Sequence, residues 1–369
     1  MGESDTLAKK YPDLINLSLG DPDLTTADII IDEACKDAHM GHTHYCDFQG
    51  DPELIDEIIK FYKEEYQLEI PRNEVFITAG GCVAMYLALE ATLDDGDEVI
   101  IQSPYFTPYP DQVILARGIP VELDTYEEED YQLNFHRLES LITKKTKALI
   151  INYPSNPVGA CYSKETLENI ASIAEKYDLL VISDEIYTAF SYQTPFLPFR
   201  SIVGMADRTI TINSFSKNFN MTGWRVGNIL APASIVKVIQ DIDGNVTFTA
   251  PSVSQRAAIH ALRHRCEVQP SIVEEYRSRV MYVYERANKI PHMHVSLPQG
   301  TFYTFINIRD TGLTSSEVCQ ILLDEAHILT LPGSGFGRCG EGYLRLACTM
   351  EKSKLQEAFD RIEKVSIFK

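Results

Sequence analysis

The chain has 369 residues, 44% of them hydrophobic, with 33 Lys and Arg against 53 Asp and Glu, a formal charge of −20. The composition excludes a disordered or collagen-like chain, and the charge argues against nucleic acid and against an anionic membrane surface, because both repel a polyanion. A small anion held in a local positive pocket stays open.

In chain order, residues 51–67 place apolar groups at 54, 55, 58, 59 and 62, a helical spacing opened by Asp51 and Pro52. A strand EVFITA (74–79) follows, then Gly80-Gly81 and a helical run over 82–93. EVIIQ (98–102) reads as a strand ended by Ser103-Pro104, and KALIIN (147–152) as a strand closed by the loop YPSNPVGA. A helix capped by Ser163 spans 163–177, and LLVISDE (179–185) and RTITINS (208–214) are two more strands. Short apolar strands alternating with helices predict βαβ units and a mainly parallel sheet covered on both faces. The pattern weakens after about residue 265. A helical run at 271–289, VSLPQGTFYTFINI, a helix near 314–326, YLRLACT and a last helix from about 351 predict a smaller α+β domain.

The N-terminus lacks an apolar signal core, and the longest apolar runs are too short to span a bilayer. The eight cysteines form no CxxC pair, which predicts free thiols in a reducing cytosol. His39, His42 and His44 have no Cys or carboxylate at ligand spacing and read as surface residues.

In an open α/β sheet, ligands bind beyond the carboxyl ends of the strands. Those ends carry Gly80-Gly81-Cys82, Tyr105-Phe106, Asn156, Asp184 with Glu185 and Tyr187, then Ser214, Ser216, Lys217 and Arg225. Each has an ordinary reading when taken alone: a tight turn, a core aromatic, a turn amide, a solvated strand end, a surface lysine. Together on successive strand ends they form one rim. Glycines before a helix start leave free N–H groups that suit a phosphate.

SFSKNFNMTGWRVG (214–227), with the spacing Ser-x-Ser-Lys-x₇-Arg, resembles the cofactor-lysine segment of the class I/II aminotransferases, the fold-type I pyridoxal-phosphate enzymes. NLSLGDPDL (16–24), HYCDFQGDPEL (44–54), TAGGCVAM, SPYF, YPSNPVGA, ISDEIY, PQGTFY (298–303) and YLRLACT (343–349) resemble further stations of that family, in order along nearly the whole chain. The resemblance implies an α/β fold with a mainly parallel central sheet between helices and a smaller α+β domain formed from both chain ends. Its implied boundaries are an arm and part of the small domain at 1–40, a large cofactor domain at 41–268 and a small domain at 269–369.

The resemblance also implies residue roles. Lys217 forms a Schiff base with pyridoxal 5'-phosphate and moves the substrate's Cα proton. Asp184 pairs with the ring nitrogen, which lets the ring draw electrons from Cα. Asn156 and Tyr187 bind the phenolic oxygen, and Phe106 stacks on the ring. Gly81, Cys82, Ser214, Ser216 and Arg225 hold the phosphate, joined by Tyr45 from a partner subunit, which implies a homodimer. Arg345 binds the substrate carboxylate, with Gly20 and Asn156 beside it. The activity implied is ping-pong transfer of an amino group from an L-amino acid to a 2-oxo acid in the cytoplasm. No metal, nucleic acid or membrane enters it.

Two other readings share parts of this pattern. A C–S β-lyase acting on cystathionine-like substrates shares the cofactor ligands, but MTGWR and YPSNP stand closer to the transaminase branch. A cofactor-binding regulator domain would need a basic DNA-binding module ahead of NLSLG, where only 15 residues stand. Cys82 stands where some aspartate-using relatives carry a Lys and Ile55 where many relatives carry an Arg, which argues against aspartate as substrate, and Tyr105, Phe106, Tyr109 and Phe336 could line an apolar or aromatic pocket.

Overall fold

The computed structural model describes Leu7 and residues 9–369. Of the arm expected over 1–40, residues 1–6 and 8 lie outside the described part. Seven strands form the main sheet: β1 (Val75–Thr78), β2 (Glu98–Ser103), β3 (Ile119–Asp124), β4 (Thr146–Asn152), β5 (Leu180–Asp184), β6 (Thr209–Ser214) and β7 (Gly227–Leu230). Their order is β1-β7-β6-β5-β4-β2-β3. The run from β6 to β3 is parallel, and β7 is antiparallel to both its neighbours.

Both faces are covered, as the unbroken apolar runs require. Ala148 and Ile150 of β4 join a core with helices α3 (Gly81–Glu90), α4 (Pro108–Leu115) and α6 (Ala233–Asp243), while Leu149 and Ile151 face α5 (Lys164–Lys176). Successive side chains point to opposite faces, so one strand feeds two cores.

Helices α1 (Asp28–His39), α2 (Pro52–Tyr66), α7 (Ser252–Arg263) and α8 (Arg265–Ala287) share a further core with the last hundred residues. There an antiparallel sheet, β8 (Tyr303–Asn307), β9 (Leu331–Pro332) and β10 (Tyr343–Ala347), runs in the order β9-β10-β8 beside α9 (Ser315–Ala326) and α10 (Lys352–Ile362). Ile15–Asn16 pairs in parallel with Ile328–Leu329, so both chain ends build this smaller α+β layer. Residue 268 lies inside α8.

Sequence patterning leaves out β3, β7, β9, α1, α4, α6 and α7. Strand β3, IPVELD, is an edge strand of mixed burial, and β7 is four residues opened by glycine; neither shows a long apolar run.

Gly227 opens β7 where the chain before α3 crosses it. A Cβ there would stand 2.7 Å from the Asn213 carbonyl oxygen and 3.2 Å from the Gly80 carbonyl carbon, both backbone atoms that cannot swing away. Gly227→Ala is expected to cost about 1–3 kcal/mol through overpacking. It should also weaken anion binding at the start of α3, because moving the new Cβ off the Asn213 carbonyl disturbs Gly80, which stands 3.2 Å away. Urea unfolding and phosphate titration of the variant check both.

Candidate active site

Strands β2, β4, β5 and β6 end at Ser103, Asn152, Asp184 and Ser214, at one edge of the sheet. A cavity of about 660 Å³ opens there. Gly20, Gly81, Cys82, Phe106, Asn156, Asp184, Tyr187, Ser214, Ser216, Lys217, Arg225 and Arg345 all line it, as do Asn152, Tyr109 and Tyr303.

Asp184 is held from two sides. The Tyr109 hydroxyl donates to its carboxylate at 2.5 Å and the Ile186 N–H at 3.3 Å. Burial pushes this carboxyl up to about 6, against the pull of those two donors. Glu185, the next residue, points to the other face of the strand. It accepts from the Ser183 hydroxyl at 2.8 Å and the Phe199 N–H at 3.0 Å, and burial carries it to about 8. At neutral pH Asp184 is therefore the ionised member of the pair. Asn152, opposite Asp184 in register, donates to the Asp184 carbonyl at 2.9 Å and accepts the Asn156 N–H at 2.8 Å. That amide fixes the loop that carries Asn156.

An anion cradle lies at the start of α3. The first bond of the helix runs from Ala84 N–H to the Gly80 carbonyl, so the N–H groups of Gly81, Cys82 and Val83 precede it. Gly80 has φ +92°, and a Cβ on it would meet Arg225 Nη2 at 2.7 Å. Glycine thus brings the guanidinium over the helix end. Ser214 Oγ donates to Ser216 Oγ at 2.9 Å beside it. Burial and Asp184 raise the Cys82 thiol, opposed by Arg225 and Lys217.

Lys217 Nζ donates to the Gly20 carbonyl at 2.6 Å. Arg345 is buried between two rings, with its guanidinium 4.7 Å from the Tyr303 centroid and 5.0 Å from that of Phe336. It donates to the Ser18 carbonyl and, at 3.4 Å, to Asn156 Oδ1. Its Nε has no partner among the described residues, and burial lowers its pKa.

Tyr45 does not join this cavity. It is 82% exposed, packs edge-on against Phe248 at 4.8 Å, and lines a separate surface hollow with His42, His44 and Arg256. Of the residues considered for a side-chain pocket, Phe106, Tyr109 and Phe336 line the cavity. Tyr105 instead turns its hydroxyl to Glu122 at 3.1 Å, and Ile55 is buried in the core of α2. Sequence reasoning missed Asn152 and Tyr303 and the bond from Tyr109 to Asp184. The only local signal was their place at a strand end or beside a recognised segment.

The family model described as aminotransferase class I and II matches residues 12–362. An aspartate aminotransferase of Pyrococcus abyssi is 42% identical over 364 residues, 97% of this chain and 93% of that protein. Aromatic-amino-acid aminotransferase 2 of Thermococcus litoralis is 40% identical over 364 residues, again 97% and 93%. The solved aromatic aminotransferase of Pyrococcus horikoshii OT3 superposes with a TM-score of 0.93 at 38% identity, over 98% of this chain and 97% of that one.

The raised Asp184 carboxyl has a consequence for the cofactor-free protein. Its folded pKa, about 6, stands above the ordinary 3.8, so the folded chain binds this proton more tightly than the unfolded chain. The stability this gives is present at low pH and is lost as pH rises toward 6. From about pH 4.5 to about pH 7 the wild type should lose on the order of 2 kcal/mol relative to Asp184→Asn. Parallel urea unfolding of the two proteins across that range checks the difference.

Proposed function

We propose a set of residue roles and a donor class from one premise: the chain belongs to the class I and II aminotransferases and is a pyridoxal-phosphate-dependent transferase of amino groups from amino acids to 2-oxo acids. The cavity fits that cofactor. Asp184 is a buried carboxylate with no cation paired to it among the described residues, which suits a protonated ring nitrogen. The open start of α3 under Arg225 suits a phosphate. Arg345, buried and lacking a carboxylate, suits that of a substrate.

Bound pyridoxal phosphate supplies an aldehyde that takes up the amino group and a ring that accommodates the electron pair left when the Cα–H bond breaks. Lys217 Nζ would hold the cofactor through that aldehyde and, once released, would carry the proton from the substrate Cα. Asp184 keeps the ring nitrogen protonated, and Tyr109 orients Asp184. Tyr187 and Asn156 donate to the phenolic oxygen, and Phe106 covers the ring. Gly81, Cys82, Ser214, Ser216 and Arg225 hold the phosphate. Arg345 grips the substrate carboxylate as a fork, with Gly20 and Asn156 beside it. Tyr45, exposed on its own subunit and set edge-on against Phe248, which itself packs on Phe48, reaches the phosphate of a second copy, which makes the enzyme a homodimer. The eight unbonded cysteines fit a cytoplasmic protein.

The donor class follows from the cations. Among the described residues, Lys217, Arg225 and Arg345 are the only lysines and arginines lining the cavity, and the cofactor and the α-carboxylate engage all three. Around Tyr45, on the face a partner would present, Arg256 is already held by Asp37 at 2.6 Å and by Glu53. The second carboxylate of aspartate or glutamate would be desolvated with no strong cation of its own, which costs several kcal/mol. Cys82, Phe106, Ile186, Leu331 and Phe336 offer apolar contact instead. The preferred donor is an amino acid with an aromatic or large apolar side chain; aromatic amino acids are the class named for the Thermococcus relative.

Rapid mixing of the cofactor-loaded enzyme with Phe, Tyr, Leu, Asp and Glu, followed by mass detection of the 2-oxo acid, tests this. Phe and Tyr should exceed Asp at least tenfold in rate over concentration, since one uncompensated charge is worth more than about 1.4 kcal/mol. Faster reaction with Asp would overturn the donor class. Borohydride should fix the cofactor to the Lys217 peptide, and Lys217→Ala should lose both that bond and turnover.

A further inference from the structure

Tyr303 has no role in the reading above, yet it touches two groups on which that reading depends. It lies on β8, 3% exposed. The Tyr187 hydroxyl donates to its hydroxyl at 3.2 Å, and its ring lies against the Arg345 guanidinium. A Cβ on Gly20 would fall 1.8 Å from the Tyr303 oxygen. Only a glycine at position 20 lets the hydroxyl reach Tyr187.

Packing alone does not call for that hydroxyl. The neighbouring Phe302, at 4.9 Å between ring centroids, fills the same core with a phenyl ring. A buried hydroxyl is costly unless it is bonded, and this one meets another phenol. Burial, helped by Tyr303 and Asp184 and opposed by Arg345, raises Tyr187 well above the ordinary phenol range, so Tyr187 stays a donor across the working pH. Tyr109 also stands near Tyr187.

We propose that Tyr303 is a positioning residue, whose hydroxyl aims and strengthens the Tyr187 hydrogen bond toward the cofactor's phenolic oxygen while its ring holds the plane of Arg345. This rests on the roles assigned to Tyr187 and Arg345. Each phenol has one proton. When Tyr187 gives its proton to a ligand oxygen, the Tyr303 O–H can turn and donate to the Tyr187 oxygen. A phenol that accepts a hydrogen bond becomes a stronger donor in its turn. The two functions sit on different parts of one side chain and can be separated.

The experiment follows the pH midpoint of the bound cofactor's visible absorbance, together with binding of 3-phenylpropionate, which carries a carboxylate but no amine. A strong donor to the phenolic oxygen favours the oxygen's deprotonated form and lowers the midpoint. Tyr303→Phe removes only the hydroxyl. It should raise the midpoint by roughly half to one pH unit, with phenylpropionate affinity within about twofold of wild type. Tyr303→Leu removes the ring as well and should also weaken phenylpropionate about fivefold. In a Tyr187→Phe background, Tyr303→Phe should shift the midpoint no further. A Tyr303→Phe midpoint equal to that of wild type, or an equal shift in the Tyr187→Phe background, would overturn the inference. A wild-type protein that shows no titrating cofactor band overturns the underlying reading instead.

Discussion

The site is organised by a carboxylate buried without a cation. Asp184 ends the central strand of a parallel sheet, where neighbouring strands deliver their last residues to the same edge. Burial penalises its charge, and only a phenol and one backbone N–H oppose that penalty. The next carboxyl, Glu185, shows the alternative. Turned to the other face, it is pushed high enough to keep its proton at neutral pH. Period-two alternation along one strand thus separates a structural acid from an ionised group facing the cavity. Such a group stays ionised at little cost only when a cation arrives from outside the chain.

Arg345 is the counterpart of opposite sign. It comes from β10, leans on the Ser18 carbonyl near the start of the chain and on Asn156 beyond β4, and forms no ion pair among the described residues. Its hydrogen-bond partners are neutral and its faces are covered by Tyr303 and Phe336. Stacking fixes the plane of a guanidinium without cancelling its charge. The cavity is lined by Lys217 and Arg225, bonded only to backbone carbonyls among the described residues, and holds the Asp184 carboxylate and the Arg345 guanidinium without an ion pair between them. A ligand with a cationic ring nitrogen at one end and a carboxylate at the other satisfies both. This is why the smaller layer must be built from both chain ends: Ser18 and Arg345 have to meet at the rim of the large sheet.

Much of this was legible in the residues. Apolar runs of three or four residues mark β2, β4 and β5, strands covered on both faces, while β6 alternates Thr and Ile although every one of its residues is buried. Polar residues directly after such runs mark the rim. The twelve site residues assigned to this subunit gather in one cavity, and Tyr45 alone stands apart. What stayed hidden depends on contacts between distant residues. Nothing near Tyr109 or Tyr303 in sequence separates a tyrosine that orients a functional group from one that fills a core. Their bonds span 75 and 116 positions. Ile55, noted only as a departure from the likeness, is buried in the core beneath α2.

Donor choice is harder to read from sequence for a further reason. It depends on the charge left over after internal pairing, and pairing is a property of the fold. Arg256 looks in sequence like any helical arginine and could have served a substrate. In the fold it is tied by Asp37 and Glu53, with Asp51 at 3.4 Å, and Asp37 also takes His260 at 2.9 Å. That cluster locks α7 to α1 and α2 and occupies Arg256, the only lysine or arginine lining the hollow at Tyr45 among the described residues. The chain carries an excess of carboxylates, and many of its arginines are consumed in this way. Specificity in such a protein is set less by which basic residues it has than by which ones its own acids leave free.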